Sequence, residues 1–204
     1  DLSQLEVTSD RVFIDDILTD PLRGIEKSSE GIITYFVNQL SAAGGSTPYS
    51  FVSTLPESQL DADEVIINRW LAKDLSAGVG DSIRMNYFVV GPLRELTESS
   101  ELFIVKSIVA MEGRFGDGAL MPDLPGLSDA GNCRDWDTGV PITLESIRDK
   151  DEDYWDEFGG IPKAFISIKK GEELWKNRFG TYTSFRYSDE NLSSASLEQS
   201  LFEN

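Results

Sequence analysis

Asp149, Asp151 and Asp153 alternate along the chain, a pattern able to offer carboxylate oxygens to a calcium ion. An EF-hand loop opening at Asp149 would need glycine at its sixth position and a bidentate glutamate at its twelfth, where Tyr154 and Gly160 stand. The favoured reading is therefore an acidic first helical turn that complements the helix dipole, with a metal site as the weaker alternative. A second group, Asp123, Asp129, Asp135 and Asp137, is able to hold a cation or to work as paired carboxylates in glycoside hydrolysis, although loop aspartates more often close Asx-turns. Cys133 is the only cysteine and histidine is absent. Ser-His and Cys-His catalysis are thereby excluded and a typical zinc site is disfavoured, so the thiol reads as a small, semi-buried side chain. Trp136, Trp155 and Trp175 read as core anchors before they read as a ligand groove. No GxGxxG or GK[ST] fingerprint accompanies the glycines, which read as turn formers.

Composition narrows the partners. The chain carries 36 acidic against 18 basic residues, a net charge of -18, which opposes phosphate contacts with nucleic acid and docking onto an anionic membrane. A hydrophobic fraction of 40% with 10% aromatics argues for a folded chain, and 204 residues suffice for one large domain or two small lobes. There is no apolar run near the roughly 18 to 20 residues that span a bilayer, nor a signal-peptide pattern at the start. Beginning at Asp1 without methionine, the chain reads as a processed protein or an excised fragment.

The elements that must position these residues are uneven in clarity. Val65 to Ile67 reads as a short strand, followed by a helix capped by Asn68 and stopped at Gly78. A turn at Gly80 and Asp81 leads into a strand over 82–90, where Ile83, Met85, Tyr87 and Val89 share one face. A polar connection at 91–100 joins it to a second strand over 101–111, the two pairing antiparallel. Upstream, Arg11 to Ile14 reads as a strand. In residues 28–45, Ile33, Phe36, Val37 and Leu40 have helical spacing, so a helix is favoured although the β-branched and aromatic residues suit a strand equally. Tyr49 to Leu55 reads as a strand. Residues 112–143 have no sustained periodicity, which marks either a partner-binding loop or, by preference, a packed Ω-loop pinned by Leu124, Leu127 and Trp136. Beyond it come a helix over 149–158 ending at Gly159, a strand over 164–168, a short helix over 172–178 and a strand over 181–187. Residues 188–204 read as a tail or linking helix.

Five segments, EVIINRWLAKDLSAGVGDSIRMNYFVVGP, VAMEG, LMPDLPGLSDAGNCRDWDTGVPI, IRDKDEDYWDEFGGIPKAFIS and GEELWKNRFGTYTSFRY, together resemble the extracytoplasmic domain of MacB/FtsX-type ABC transporter permeases. The resemblance covers about residues 48 to 187, and its most specific pieces are the NCRDWD loop and the YWDEF helix. It implies an α+β fold of the MacB-like periplasmic core type, a mixed or antiparallel β-rich lobe with short helices. Residues 1–60 would form a lobe apart from a β-rich lobe at 61–187. It also implies a periplasmic position between two transmembrane helices of the same permease, no catalysis, and no cofactor in this chain, with ATP hydrolysed on a separate ABC ATPase. The full transporter would be dimeric and would act on an extracytoplasmic protein partner or cargo. The strands at 82–90 and 101–111 would supply stiffness. Contact would fall to the 112–143 loop, with Asp135, Trp136 and Asp137 as candidates, or to the tip at 91–100. The rivals from other classes are a secreted carboxylate-dependent hydrolase and a calcium-stabilised binding module.

Overall fold

The computed structural model describes residues 5–25, 29–56, 59–91, 95–128, 130–136, 141–188 and 192–203. In chain order the elements are β1 (Leu5–Thr8), α1 (Thr19–Ile25), β2 (Glu30–Ile32), β3 (Thr34–Ala42), β4 (Gly45–Leu55), β5 (Glu64–Asn68), α2 (Arg69–Leu75), β6 (Ser82–Val90), β7 (Leu96–Val109), α3 (Asp149–Phe158), β8 (Ala164–Ser167), α4 (Ile168–Trp175), β9 (Ser184–Tyr187) and α5 (Ser194–Glu203). The fold is α+β, rich in strands and with short helices. Six strands close a barrel in the order β3-β4-β8-β5-β7-β6, β6 returning to pair with β3. The β4–β8 and β5–β7 pairs are parallel and the others antiparallel. Strands from both sides of residue 60 thus share one barrel. A separate three-stranded sheet places β9 between β1 and β2.

Helix α2 follows the sequence closely. The Leu71 N–H donates to Asn68 Oδ1 at 2.8 Å, and Leu71, Ala72 and Leu75 pack inward. Its stop is Ser76, in the left-handed conformation at φ 51°, two residues before the expected Gly78. The β6–β7 ribbon is antiparallel as expected, paired from Ser82↔Ile104 to Val90↔Leu96. It is also longer than the sequence suggests. Thr97, Glu98 and Ser100 read as loop because they are polar, yet they sit in β7 with their side chains in solvent. The connection shrinks accordingly to residues 91–95, of which 92–94 lie outside the described residues.

The helix expected over 28–45 is instead β2 and β3. Buried positions in β3 recur every third residue, at Thr34, Val37 and Leu40, and both faces are covered. Val37 and Leu40 enter the main core, while Phe36 packs against Tyr49, Phe51 and Trp136 outside it. Two-sided burial in a strand reproduces helical spacing, and here tertiary pairing decides. The strand expected at Arg11–Ile14 is a turn that holds Val12 at φ 73°; the N-terminal strand is β1. α4 begins four residues before the expected start, capped by the Ser167 hydroxyl, and of the final strand only Ser184–Tyr187 pairs. Gly171 obscured α4: within a helix it lowers propensity, but a Cβ there would stand 2.5 Å from Thr54 Cγ2 on β4.

The main core gathers the barrel interior with α2, α4 and the small sheet, and Leu197 of α5 joins it. Trp175 lies stacked on Tyr35, with ring centroids 4.9 Å apart, and edge-on to Tyr87 at 6.3 Å. α3 spans the expected residues and ends at Gly159, whose φ of 58° and ψ of -138° are open to glycine and costly for other residues. No atom would touch a Cβ there, so the cost of a side chain is purely conformational. Gly159→Ala is expected to lower stability by about 1–3 kcal/mol in thermal unfolding. An unchanged melting temperature would contradict that backbone requirement.

Candidate functional site

Between β7 and α3 the described residues form four one-turn 3-10 helices and cover the outer face of β3 and β4. Its cohesion comes from a second, smaller core in which Phe51, Leu127, Cys133, Trp136 and Ile147 are buried, with Leu124 and Trp155 partly so. The packed Ω-loop reading matches this arrangement, since Leu124, Leu127 and Trp136 all take part. Trp136 is 8% exposed and meets Trp155 edge-on at 5.1 Å, Phe36 at 5.7 Å and Tyr49 at 6.4 Å. Tyr49 also accepts the Thr143 N–H at 2.6 Å. The two segments most specific to the sequence resemblance are therefore in direct contact. A hydrogen bond joins them as well: the Cys133 N–H donates to Glu152 Oε2 at 2.9 Å.

Cys133 is buried, and burial, with the Glu152 carboxylate beside it, pushes its thiol up to about 12. Its side chain packs within the smaller core, where burial disfavours the thiolate.

The sequence-predicted residues separate in space. Asp135 is exposed and accepts the Asn132 side-chain amide at 2.7 Å, while Trp136 next to it points into the packed cluster. Asp137 and Asp129 lie outside the described residues. In α3, Asp149 and Asp153 are exposed whereas Asp151 is buried and turned back onto Arg148. Among the described residues no three acidic or cysteine side chains converge in a way that could hold a metal ion.

Sequence reasoning missed the charge network that fastens this region down. Arg148, which sequence reasoning gave no role, is the N-cap residue of α3. Its Nε and Nη2 donate to the Asp151 carboxylate at 2.7 and 2.6 Å, and Asp151 Oδ2 also accepts the Arg148 backbone N–H at 2.9 Å. The same guanidinium reaches Ser46 O on β4 at 2.7 Å and Asp74 on α2 at 2.8 Å. Asp74 further accepts from Lys150 and from the Thr47 hydroxyl. Burial alone would raise the Asp74 carboxyl, but these donors outweigh it and hold it below the ordinary carboxylate value. Near the same face of α3, Lys163 is 4% exposed and its Nζ stands 4.4 Å from the Trp70 ring centroid and 4.5 Å from that of Tyr154. Desolvation pushes this ammonium down to about 8, against the pull of Asp151. No local spacing marks these partners, because Arg148 and Asp74 lie far apart in sequence and Lys163 is a lone cation ahead of an apolar strand.

Chemically, the site is a packed aromatic cluster fastened by a charge network centred on Arg148, with Asp135, Asp149 and Asp153 exposed at its surface. The class that fold and site define is an α+β domain built on a mixed, closed six-stranded barrel with a stapled surface segment. Comparison with protein-family models and with curated proteins finds no match. Among solved structures, the chain is similar to the periplasmic region of MacB from Actinobacillus actinomycetemcomitans, at 10% identity and a TM-score of 0.47, over 94% of this chain and 72% of that one. A likeness of this degree carries no argument about activity. No helix among the described residues is long and apolar enough to cross a membrane.

Proposed function

We propose that the chain is a non-catalytic, extracytoplasmic domain of an ABC transporter permease that relays motion of membrane helices to a partner or cargo outside the membrane. The observation that carries the reading is the joining of the two most distinctive segments of the sequence resemblance, NCRDWD and YWDEF, into one packed unit through Trp136, Trp155, Cys133 and Glu152. Relaying motion calls for a stiff body and an exposed contact. The closed barrel and the β6–β7 ribbon supply the first, and the surface around Asp135 supplies the second. Trp136 is too buried to separate binding from folding, so Asp135 is the residue to probe. In the full-length protein in its native membrane, a photo-crosslinking amino acid at position 135 is expected to capture an extracytoplasmic protein, with a yield that changes when the ATPase is arrested with vanadate. With the crosslinker moved to the exposed neighbour Gly131, Asp135→Lys should reduce the adduct while leaving stability within about 0.5 kcal/mol. A full-length product released from membranes by carbonate would overturn the reading, as would an adduct indifferent to vanadate.

A further inference from the structure

Phe13 divides two adjoining hollows on the surface. The first, about 160 Å³, is walled almost entirely by apolar side chains, among them Val12, Phe13, Tyr35, Phe88, Leu96 and Leu124. The second, about 380 Å³, is bounded by Phe13 with Asp10, Arg11, Asp15, Leu18 and Phe179. Large apolar side chains stand open to water around both: Val90 is 38% exposed, Leu18 42% and Phe179 51%. Clustered apolar exposure of this kind marks a binding surface, whereas isolated apolar residues do not. The wall between the hollows is also under backbone strain. Val12 holds φ at 73°, a conformation that a β-branched residue adopts only when its surroundings impose it, and such strain concentrates at ligand-contacting segments.

The charge around these hollows selects the occupant. Asp10 and Asp15 line the second hollow, Asp123 sits exposed between two lining residues of the first, and exposed Glu95 precedes Leu96. Arg11 and Arg178, the latter lying over the Phe179 ring, are the basic side chains set against them. With the chain's net charge of -18, an acidic partner would be repelled from this face and a basic one drawn to it. We infer that the double hollow around Phe13 is a docking groove for a basic, amphipathic peptide segment of another protein. Its apolar side chains enter beside Tyr35 and Phe88, and its lysines or arginines face Asp10, Asp15 and Asp123. The inference goes beyond the transporter reading and stands without it.

Fluorescence anisotropy with the 204-residue chain and a labelled helical peptide of leucine and lysine tests this. The peptide is expected to bind at low salt, and its counterpart with glutamate in place of lysine is not. Val90→Ser should weaken binding about tenfold, the effect of losing one buried valine side chain. Asp10→Asn combined with Asp15→Asn, which keeps the acceptor that Asp15 offers the Ile17 N–H, should weaken it about fivefold at low salt, with the difference vanishing at high salt. Circular dichroism of each variant confirms that it is folded. Absence of binding, equal binding of the glutamate peptide, or affinities unchanged in both variants would overturn the assignment. So would self-association of the chain abolished by Val90→Ser, which would give the groove to a second copy.

Discussion

Asp151→Ala is expected to destabilise the domain by about 3 kcal/mol in urea unfolding, with loss of the near-ultraviolet signal of the Trp136–Trp155 cluster. Asp151 is 5% exposed and receives three donors from Arg148, two from the guanidinium and one from the backbone. Removing the carboxylate strands the first turn of α3 and takes a counter-charge from the neighbourhood of buried Lys163. Breaking a buried pair by deleting one partner costs about 3–5 kcal/mol. The lower end applies because the Arg148 side chain remains 31% exposed and keeps its contacts with Asp74 and Ser46. Asp151→Asn preserves shape and one acceptor and should lose less. A loss under about 1 kcal/mol for the alanine variant would place Asp151 with ordinary surface ion pairs and remove the staple from the account.

Lys163 provides the second large effect, and its sign is set by burial. Its ammonium titrates near 8 in the folded chain against 10.5 for the free side chain, because desolvation penalises the charged form. Between those two values the unfolded chain holds a proton that the folded chain has released, so stability rises with pH across the window. The shift corresponds to on the order of 3 kcal/mol between the two protonation states. Tyr35 works in the opposite direction: burial pushes it up to about 12, so its contribution is lost as pH climbs above its ordinary value. Comparing wild type with Lys163→Met cancels the tyrosines. The variant is expected to be the more stable at pH 7, and its advantage should shrink by on the order of 3 kcal/mol by pH 10.5. A gap that stays constant across this range would mean that Lys163 is solvated.

The legible parts of the fold are those in which one local rule governs. Asn68 caps α2 with its own side chain, Gly159 ends α3 with a backbone only glycine takes comfortably, and β6 alternates because one face meets the core and the other water. Legibility fails where tertiary structure overrides the local rule. β3 is apolar on both faces because the barrel interior lies on one side and the Trp136 cluster on the other. The first residues of β7 are polar because the ribbon projects into solvent, and Gly171 hides a helix because α4 presses against Thr54. In the candidate site, the packing of Leu124, Leu127 and Trp136 was readable from their apolar character in an aperiodic stretch. The Arg148–Asp74 contact and the ring-flanked Lys163 were not, since each is defined by a partner brought close only by the fold.

The strand order of the barrel also sets the order in which it can close. β8 is the strand that joins β4 to β5, with Val52 beside Ala164 and Ile67 beside the same residue, so the gap between those strands stays open until residues Ala164–Ser167 are in place. The small sheet waits longer, because its middle strand, β9, comes after both of its partners in sequence. The facing edges of β4 and β5, and those of β1 and β2, therefore stay unpaired until β8 and β9 follow, and closure depends on contacts between residues far apart in sequence, the kind that form slowly. A chain in which Ala164–Ser167 has not yet docked presents the edges of β4 and β5 without their partner, and in that state it is open to edge-to-edge association.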